Sequence, residues 1–201
     1  MTSKTLYAIK ASRKTGEEPL IVNDKSVALD LLSFWQWSSS DLISNSLRGV
    51  LAEYIVASTV GCNTGVRTEW DAYDLKTESG IRIEVKSAAY LQSWSQKKLS
   101  NISFSVRPAH GWDAESNSRS KIKIRPSHVY VFCVLKHKEK STVNPLNMDQ
   151  WGFYCINTTK LNNALGSQKS ISHSRLLSLE PIKSSYLDLA ETIKSVAESS
   201  S

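Results

Sequence analysis

The sequence predicts an α/β protein, and three observations carry that reading. Two successive segments near the N-terminus show helical periodicity, a β-hairpin is written between residues 68 and 87, and residues 128–135 form an unbroken apolar run. That run, HVYVFCVL, is the mark of a strand buried on both faces, so other elements must cover it above and below. With 201 residues, 40% of them hydrophobic, the chain can build one sizeable core. No repeat or linker divides it, and 1–201 reads as a single domain.

Residues 1–23 form a poorly defined N-terminal segment, with Thr5–Ile9 and Leu20–Val22 as candidate edge strands around Thr15-Gly16-Glu17. From Asp24 to Trp37 the pattern predicts a helix, capped by Asp24, with Val27, Leu31, Phe34 and Trp35 apolar. Ser38 to Asp41 break that helix and cap a second, Leu42 to Val60, which stops at Gly61. Its predicted buried stripe is Leu47, Val50, Leu51, Tyr54 and Ile55. Glu53 flanks the stripe, and its structural role would be to pair with Arg48 or to face water.

The central stretch reads TEWDAYDLKTESGIRIEVKS over Thr68–Ser87. One arm runs from Glu69 to Thr77. The other, Ile81 to Ser87, alternates Ile81, Ile83 and Val85 with Arg82, Glu84 and Lys86, the period of a half-buried strand. Glu78-Ser79-Gly80 between them suits a three-residue loop whose last position takes the left-handed conformation that glycine adopts freely. With Thr77 paired to Ile81, Asp74 falls opposite Glu84, and Lys86 shares their face. A loop shorter by one residue would put the two acids on opposite faces. Two adjacent carboxylates repel unless a proton or cation intervenes, so the triplet has the make-up of an active site. An acid two residues before a lysine also occurs at Asp74-Leu75-Lys76, which has no acid-bearing strand before it. The information therefore lies in the register and not in the tripeptide.

Downstream, Ile102–Val106 alternates as a strand, and residues 108–126 read as a long polar surface loop in which His110 stands without triad partners. Trp151–Ile156 resembles the 128–135 strand. Thr158 or Thr159 is expected to cap a short helix over Leu161–Leu165, and Tyr186–Val196 reads as a helix with Leu189, Ile193 and Val196 in contact positions. A serine-rich tail, 197–201, should fray.

A net charge of +6 and a pI near 9.2 are compatible with a polyanionic partner. Arg107, Arg119, Lys121, Lys123 and Arg125, then Lys136, Lys138 and Lys140, cluster on either side of the apolar strand. No apolar run is long enough to span a bilayer, and the N-terminus lacks a signal peptide's apolar core. Cys62, Cys133 and Cys155 make no C-x-x-C pair, so neither a disulfide framework nor a zinc site is indicated. The expectation is a cytoplasmic protein with no membrane partner.

A helix glutamate (Glu53, within Arg48-Gly49-Val50-Leu51-Ala52-Glu53), a strand aspartate (Asp74) and then Glu84-Val85-Lys86 follow one another in a familiar order. That order resembles the PD-(D/E)xK nuclease superfamily over residues 47 to about 106, with Tyr73 in place of the proline that names the motif. The resemblance implies a restriction-endonuclease-like core, a mixed central β-sheet flanked by helices. It further implies a metal-dependent endonuclease acting on DNA, RNA being a second candidate, with Glu53, Asp74, Glu84 and Lys86 catalytic. Asp74, Glu84 and the Val85 backbone carbonyl would hold Mg²⁺, with Mn²⁺ as a substitute and Glu53 acting through water. In such nucleases polar residues after the lysine strand approach the phosphate, which brings in Gln92, Trp94, Gln96, Lys97 and Lys98 as nucleic-acid contacts. Duplex cleavage needs two sites, so a homodimer is expected from the chemistry. The competing reading is a nucleic-acid-binding or assembly module that keeps the fold without cleaving.

Overall fold

The structure is a computed structural model, and it describes residues 9–68, 72–113 and 118–199. Its centre is a mixed five-stranded sheet flanked by helices. The sheet contains β3 (Leu75–Lys76), β4 (Arg82–Ala89), β8 (Val129–Leu135), β9 (Trp151–Asn157) and β11 (Ile182–Ser184), in the order β11-β9-β8-β4-β3. Only β4 and β8 run parallel; every other pair is antiparallel. All seven residues of β8 are buried, as an apolar run with no polar alternation requires.

The strand period sorts the core into two layers. Ile83, Val85, Val129, Val131 and Cys133 face helix α2 (Asn45–Thr59) and helix α5 (Leu189–Glu198), which supply Ala52, Ile55, Val56, Leu189, Ile193 and Val196. Ala88, Tyr130, Phe132, Val134 and Ile156 face the other way. They pack on Phe104 of β5 (Ser103–Ser105), Ile171 of β10 (Ser170–Ser172), Leu161 and Leu165 of α3 (Thr158–Leu165), and Leu176 of α4 (His173–Leu177). Phe104 meets Phe132 edge to face at 4.8 Å between ring centroids.

The hairpin has the register set by its loop. Leu75 pairs with Ile83 and Lys76 with Arg82, Thr77 N–H donates to the Ile81 carbonyl at 3.0 Å, and Gly80 has φ +87°. The first arm is shorter than the expected Glu69–Thr77: only Leu75–Lys76 is strand, residues 72–74 bend, and 69–71 lie outside the described residues. β4 in turn continues to Ala89, because Ala88 and Ala89 are small and apolar enough to enter both layers.

Other expectations are corrected. The predicted helix Asp24–Trp37 is instead a strand followed by a shorter helix. β1 (Pro19–Val22) turns back onto β2 (Lys25–Asp30), and α1 (Leu31–Ser39) begins after Asp30, which closes a capping box with Ser33. Asn23 and Asp24, at φ 49° and 59°, make the two-residue hairpin turn that such residues tolerate. Helix α2 is capped by Ser44, whose hydroxyl accepts from Leu47 N–H. Its buried face is Arg48, Ala52, Ile55, Val56 and Ala57, while Val50 and Tyr54 are exposed. The expected 108–126 loop contains a hairpin of β6 (Ala109–Asp113) and β7 (Ser118–Ile124). Helix α3 is capped by Asn157, one residue before the expected threonines. The C-terminal helix begins at Leu189 and buries the three expected residues.

Candidate active site

The site is set where β3 ends beside β4. Asp74 lies one residue before β3, just past the Leu75–Ile83 pair, and close enough to Glu84 for the two carboxylates to act on each other. Its backbone N–H donates to the Ile83 carbonyl at 3.1 Å, and its Oδ2 accepts from Val85 N–H at 2.7 Å. The aspartate side chain thus takes the place of the next rung of the ladder. N–H and C=O of one strand residue point to the same side, so the Val85 carbonyl faces the same edge as Asp74. Glu84 and Lys86 project from β4 on the face opposite Ile83 and Val85, and Lys86 Nζ lies 2.5 Å from Glu84 Oε1.

Glu53 comes from α2, on the other face of the sheet, and shares a cavity of about 430 Å³ with Asp74, Tyr73 and Tyr54. Of the two structural roles expected for it, pairing with Arg48 or facing water, the structure shows neither. Its partner is Arg67, through Nε–Oε2 at 2.5 Å and a second contact to Oε1 at 3.1 Å. Arg48 is instead buried and donates to the Ile43 carbonyl at 2.9 Å, Asn45 Oδ1 at 2.7 Å and Ser87 Oγ at 3.3 Å. It ties α2 to the strand one residue beyond Lys86. No periodicity rule places an arginine there, since charged residues are seldom fully buried.

The electrostatics bind the four residues into one unit. Burial, and then the Glu84 charge, push the Asp74 carboxyl up to about 7, against the opposing pull of Lys86 and the Val85 N–H; Glu53 adds a further push. For Lys86, burial disfavours the ammonium, but Glu84, Asp74 and Glu53 together outweigh it and hold its pKa above the usual value. Tyr130, paired with Glu84 on the neighbouring strand β8, has its phenol pushed upward by burial and by the same carboxylate. The sequence marked Tyr130 only as part of an apolar strand.

The donor set suits a hard divalent cation. Among the described residues, no three acid, histidine or cysteine side chains form a ready-made cage. Two carboxylates and a backbone carbonyl leave positions for water and phosphate oxygens, which is how magnesium is usually held. Burial, and then Glu84, disfavour an ionised Asp74, a cost that added positive charge would offset.

The segment after β4 divides. Gln92 is buried, and its amide nitrogen donates to the Ala89 carbonyl and Ser100 Oγ, both at 3.2 Å. Gln96 accepts from Gln92 N–H at 2.7 Å and donates to the Tyr90 carbonyl at 3.2 Å. Both amides therefore brace their own loop, while Trp94, Lys97 and Lys98 are exposed. The Trp94 carbonyl accepts from Lys140 Nζ at 2.5 Å, and Lys138 Nζ stands 4.9 Å from the Tyr90 ring centroid. Two of the lysines beyond β8 thus join this surface. Arg125, counted among the basic runs, is buried and donates to four acceptors around Val106 and α3.

The fold and cluster together define a basic α/β protein with an acid-and-lysine site at the edge of a mixed sheet. The model of the bacteriophage T4 endonuclease IV family matches residues 20–172, well over half the chain. The chain belongs to that family of endonucleases. No curated protein and no solved structure matches it.

Proposed function

We propose that this chain is a magnesium-dependent endodeoxyribonuclease of the PD-(D/E)xK kind, with Mn²⁺ able to substitute and DNA as its substrate. Membership of an endonuclease family supports phosphodiester cleavage. The observation that carries the site is the cluster itself: Asp74 is bonded to Val85 N–H beside Glu84, Glu84 is paired with Lys86, and Lys86 and Glu53 act on the same Asp74 carboxyl.

In this reading Asp74, Glu84 and the Val85 carbonyl hold the ion, and Glu53, fixed by Arg67, acts through water. A bound divalent cation supplies the positive charge that offsets the carboxylate repulsion and polarises a phosphoryl oxygen. Val85 N–H holds one oxygen of Asp74, and the other would bind the ion. Lys86 orients the attacking water and stabilises charge developing on the phosphate. Glu84 and Asp74 keep that lysine protonated. The reaction is in-line hydrolysis without a covalent intermediate. Trp94, Lys97 and Lys98 form the exposed surface on which the strand leaving the site would lie.

The test is cleavage of supercoiled plasmid and single-stranded DNA in Mg²⁺ or Mn²⁺ by the wild type, Asp74→Ala and Lys86→Ala. Metal-dependent nicking that falls by about 100-fold or more in both variants is expected. Calorimetry should show Mg²⁺ binding lost in Asp74→Ala and kept in Lys86→Ala. Equal cleavage by all three proteins would remove the assignment of the quartet. A wild type that binds DNA but cleaves nothing would favour a binding module.

A further inference from the structure

A second cavity, of about 730 Å³, opens at the end of the sheet where β4 and β8 begin and β9 ends. Its wall includes Arg82, His128, Lys194, Thr158 and the first turn of α3, with Glu198 as its one carboxylate. Arg82 is on the same face of β4 as Glu84 and Lys86, two residues before Glu84, a distance of roughly 6.6 Å along a strand. The cavity is therefore a near neighbour of the candidate active site.

The hydrogen bonding in this wall is incomplete. The Arg82 backbone N–H donates to His128 Nδ1 at 3.1 Å, and Arg82 Nη2 lies 2.9 Å from His128 Nε2. A neutral imidazole has a single acceptor nitrogen. With Nδ1 accepting, Nε2 carries the hydrogen and confronts a second donor, the guanidinium. An anionic oxygen accepting from both would turn that opposition into two charge-assisted bonds. Arg82 Nε has no partner, and neither has the Thr158 hydroxyl, on a residue only 6% exposed. Thr158 opens α3, whose N-terminal dipole favours an anion at the same place. Lys194 reaches the cavity from α5 and is exposed.

We infer that this cavity binds a backbone phosphate of the nucleic-acid strand, one that flanks the cleaved bond and is not itself cleaved. Arg82, the His128 Nε2–H, Lys194 and the Thr158 hydroxyl are its donors. The inference rests on the nuclease reading and adds to it a positioning site that fixes the strand relative to Glu84. The ligand is a phosphodiester within a strand; a free phosphate monoester is the competing source of the same chemistry.

The test is fluorescence anisotropy with a labelled oligonucleotide lacking terminal phosphates, in EDTA, over a range of salt. The full chain carries Asp74→Asn to keep the strand intact and is compared with the same chain bearing Arg82→Gln, Lys194→Gln or, as a control on β11, Lys183→Gln. Removing one phosphate contact lowers the slope of log affinity against log salt by about 1, without regard to sequence. Arg82→Gln and Lys194→Gln are expected to lose several-fold in affinity and to show that fall, while Lys183→Gln matches the parent. Lys194 is exposed, so its variant folds even where Arg82→Gln disturbs β4. Parental affinity and slope in Lys194→Gln and Arg82→Gln would overturn the inference. So would a defect seen only with a 5′-phosphorylated probe, which would point to a monoester. Cleavage by the quartet variants is read separately. A fallen slope with an unaffected Asp74→Ala cleavage would remove the nuclease assignment and leave this site standing.

Discussion

Asp74 offers the sharpest test because its cost to the fold and its proposed use in catalysis have opposite signs. Its carboxyl is pushed from 3.8 up to about 7, so the folded protein binds the proton far better than the unfolded chain does. Stability contributed by that proton is complete below about pH 4, falls as pH rises between about 4 and 7, and is gone above 7. Three pKa units at 1.36 kcal/mol each place the full change at about 4 kcal/mol, an upper bound for a group of this kind. Asp74→Asn keeps a carbonyl oxygen to accept from Val85 N–H and removes the charge. Urea denaturation from pH 4 to pH 8.5 without metal should therefore find the variant more stable at pH 8, by up to about 4 kcal/mol. The difference should shrink towards zero near pH 4. Added Mg²⁺ should raise the stability of the wild type at pH 8 and leave the variant unchanged. A variant less stable than wild type at pH 8, or a difference independent of pH, would refute the argument that Asp74 is an ionised acid held against its preference.

Three further outcomes follow from the packing. Arg48→Leu strips donors from Ile43, Asn45 and Ser87 in a buried site and should cost about 3 kcal/mol by denaturation, with loss of cleavage as α2 and Glu53 shift. Phe132→Ala, at a fully buried position against Phe104 and Tyr130, should cost about 3–5 kcal/mol. Asn157→Ala removes the acceptor for Thr159 N–H at the start of α3 and should cost about 1 kcal/mol, measurable as a lower thermal midpoint.

The site was legible in the sequence to the extent that local rules determined it. Glu78-Ser79-Gly80 fixes the hairpin register as far as Leu75 and Ile83, which brings Asp74 to the end of β3 beside Glu84, although Asp74 itself bonds to Ile83 and Val85 and departs from the regular pairing. The β8 run and the Leu189, Ile193, Val196 spacing identify their elements because burial dictates both. Failures came where two periods fit the same letters. Val27, Leu29 and Leu31 suit a strand, Val27, Leu31 and Phe34 suit a helix, and the turn at Asn23-Asp24 decides in favour of the strand. In the β7 stretch Lys121-Ile122-Lys123-Ile124 does alternate, but Ile122 and Ile124 are exposed, so the alternation signals no core. The α2 stripe was misplaced by the hydrophobic letters themselves. Val50 and Tyr54 face outward, and the buried side chain at the head of the helix is Arg48, whose partners lie as far away in sequence as Ser87. Arg67 is likewise out of reach of local rules, since the bend that carries it to Glu53 has no period.

The parallel pairing of β4 with β8 also has a consequence for when the candidate site is assembled. The hairpin carrying Asp74 and Glu84 closes over three residues and can form early, but Ile83 meets Val129 only after the whole stretch between them has been made. Until then β4 has no neighbour on its β8 side, and Val131, Phe132 and Cys133 are not there to bury it. Contacts this distant form late. A chain still emerging from the ribosome, among the nucleic acids of its own translation, therefore carries the four residues without the sheet that gathers them. The order of synthesis thus delays assembly of the candidate site until β8 has been made.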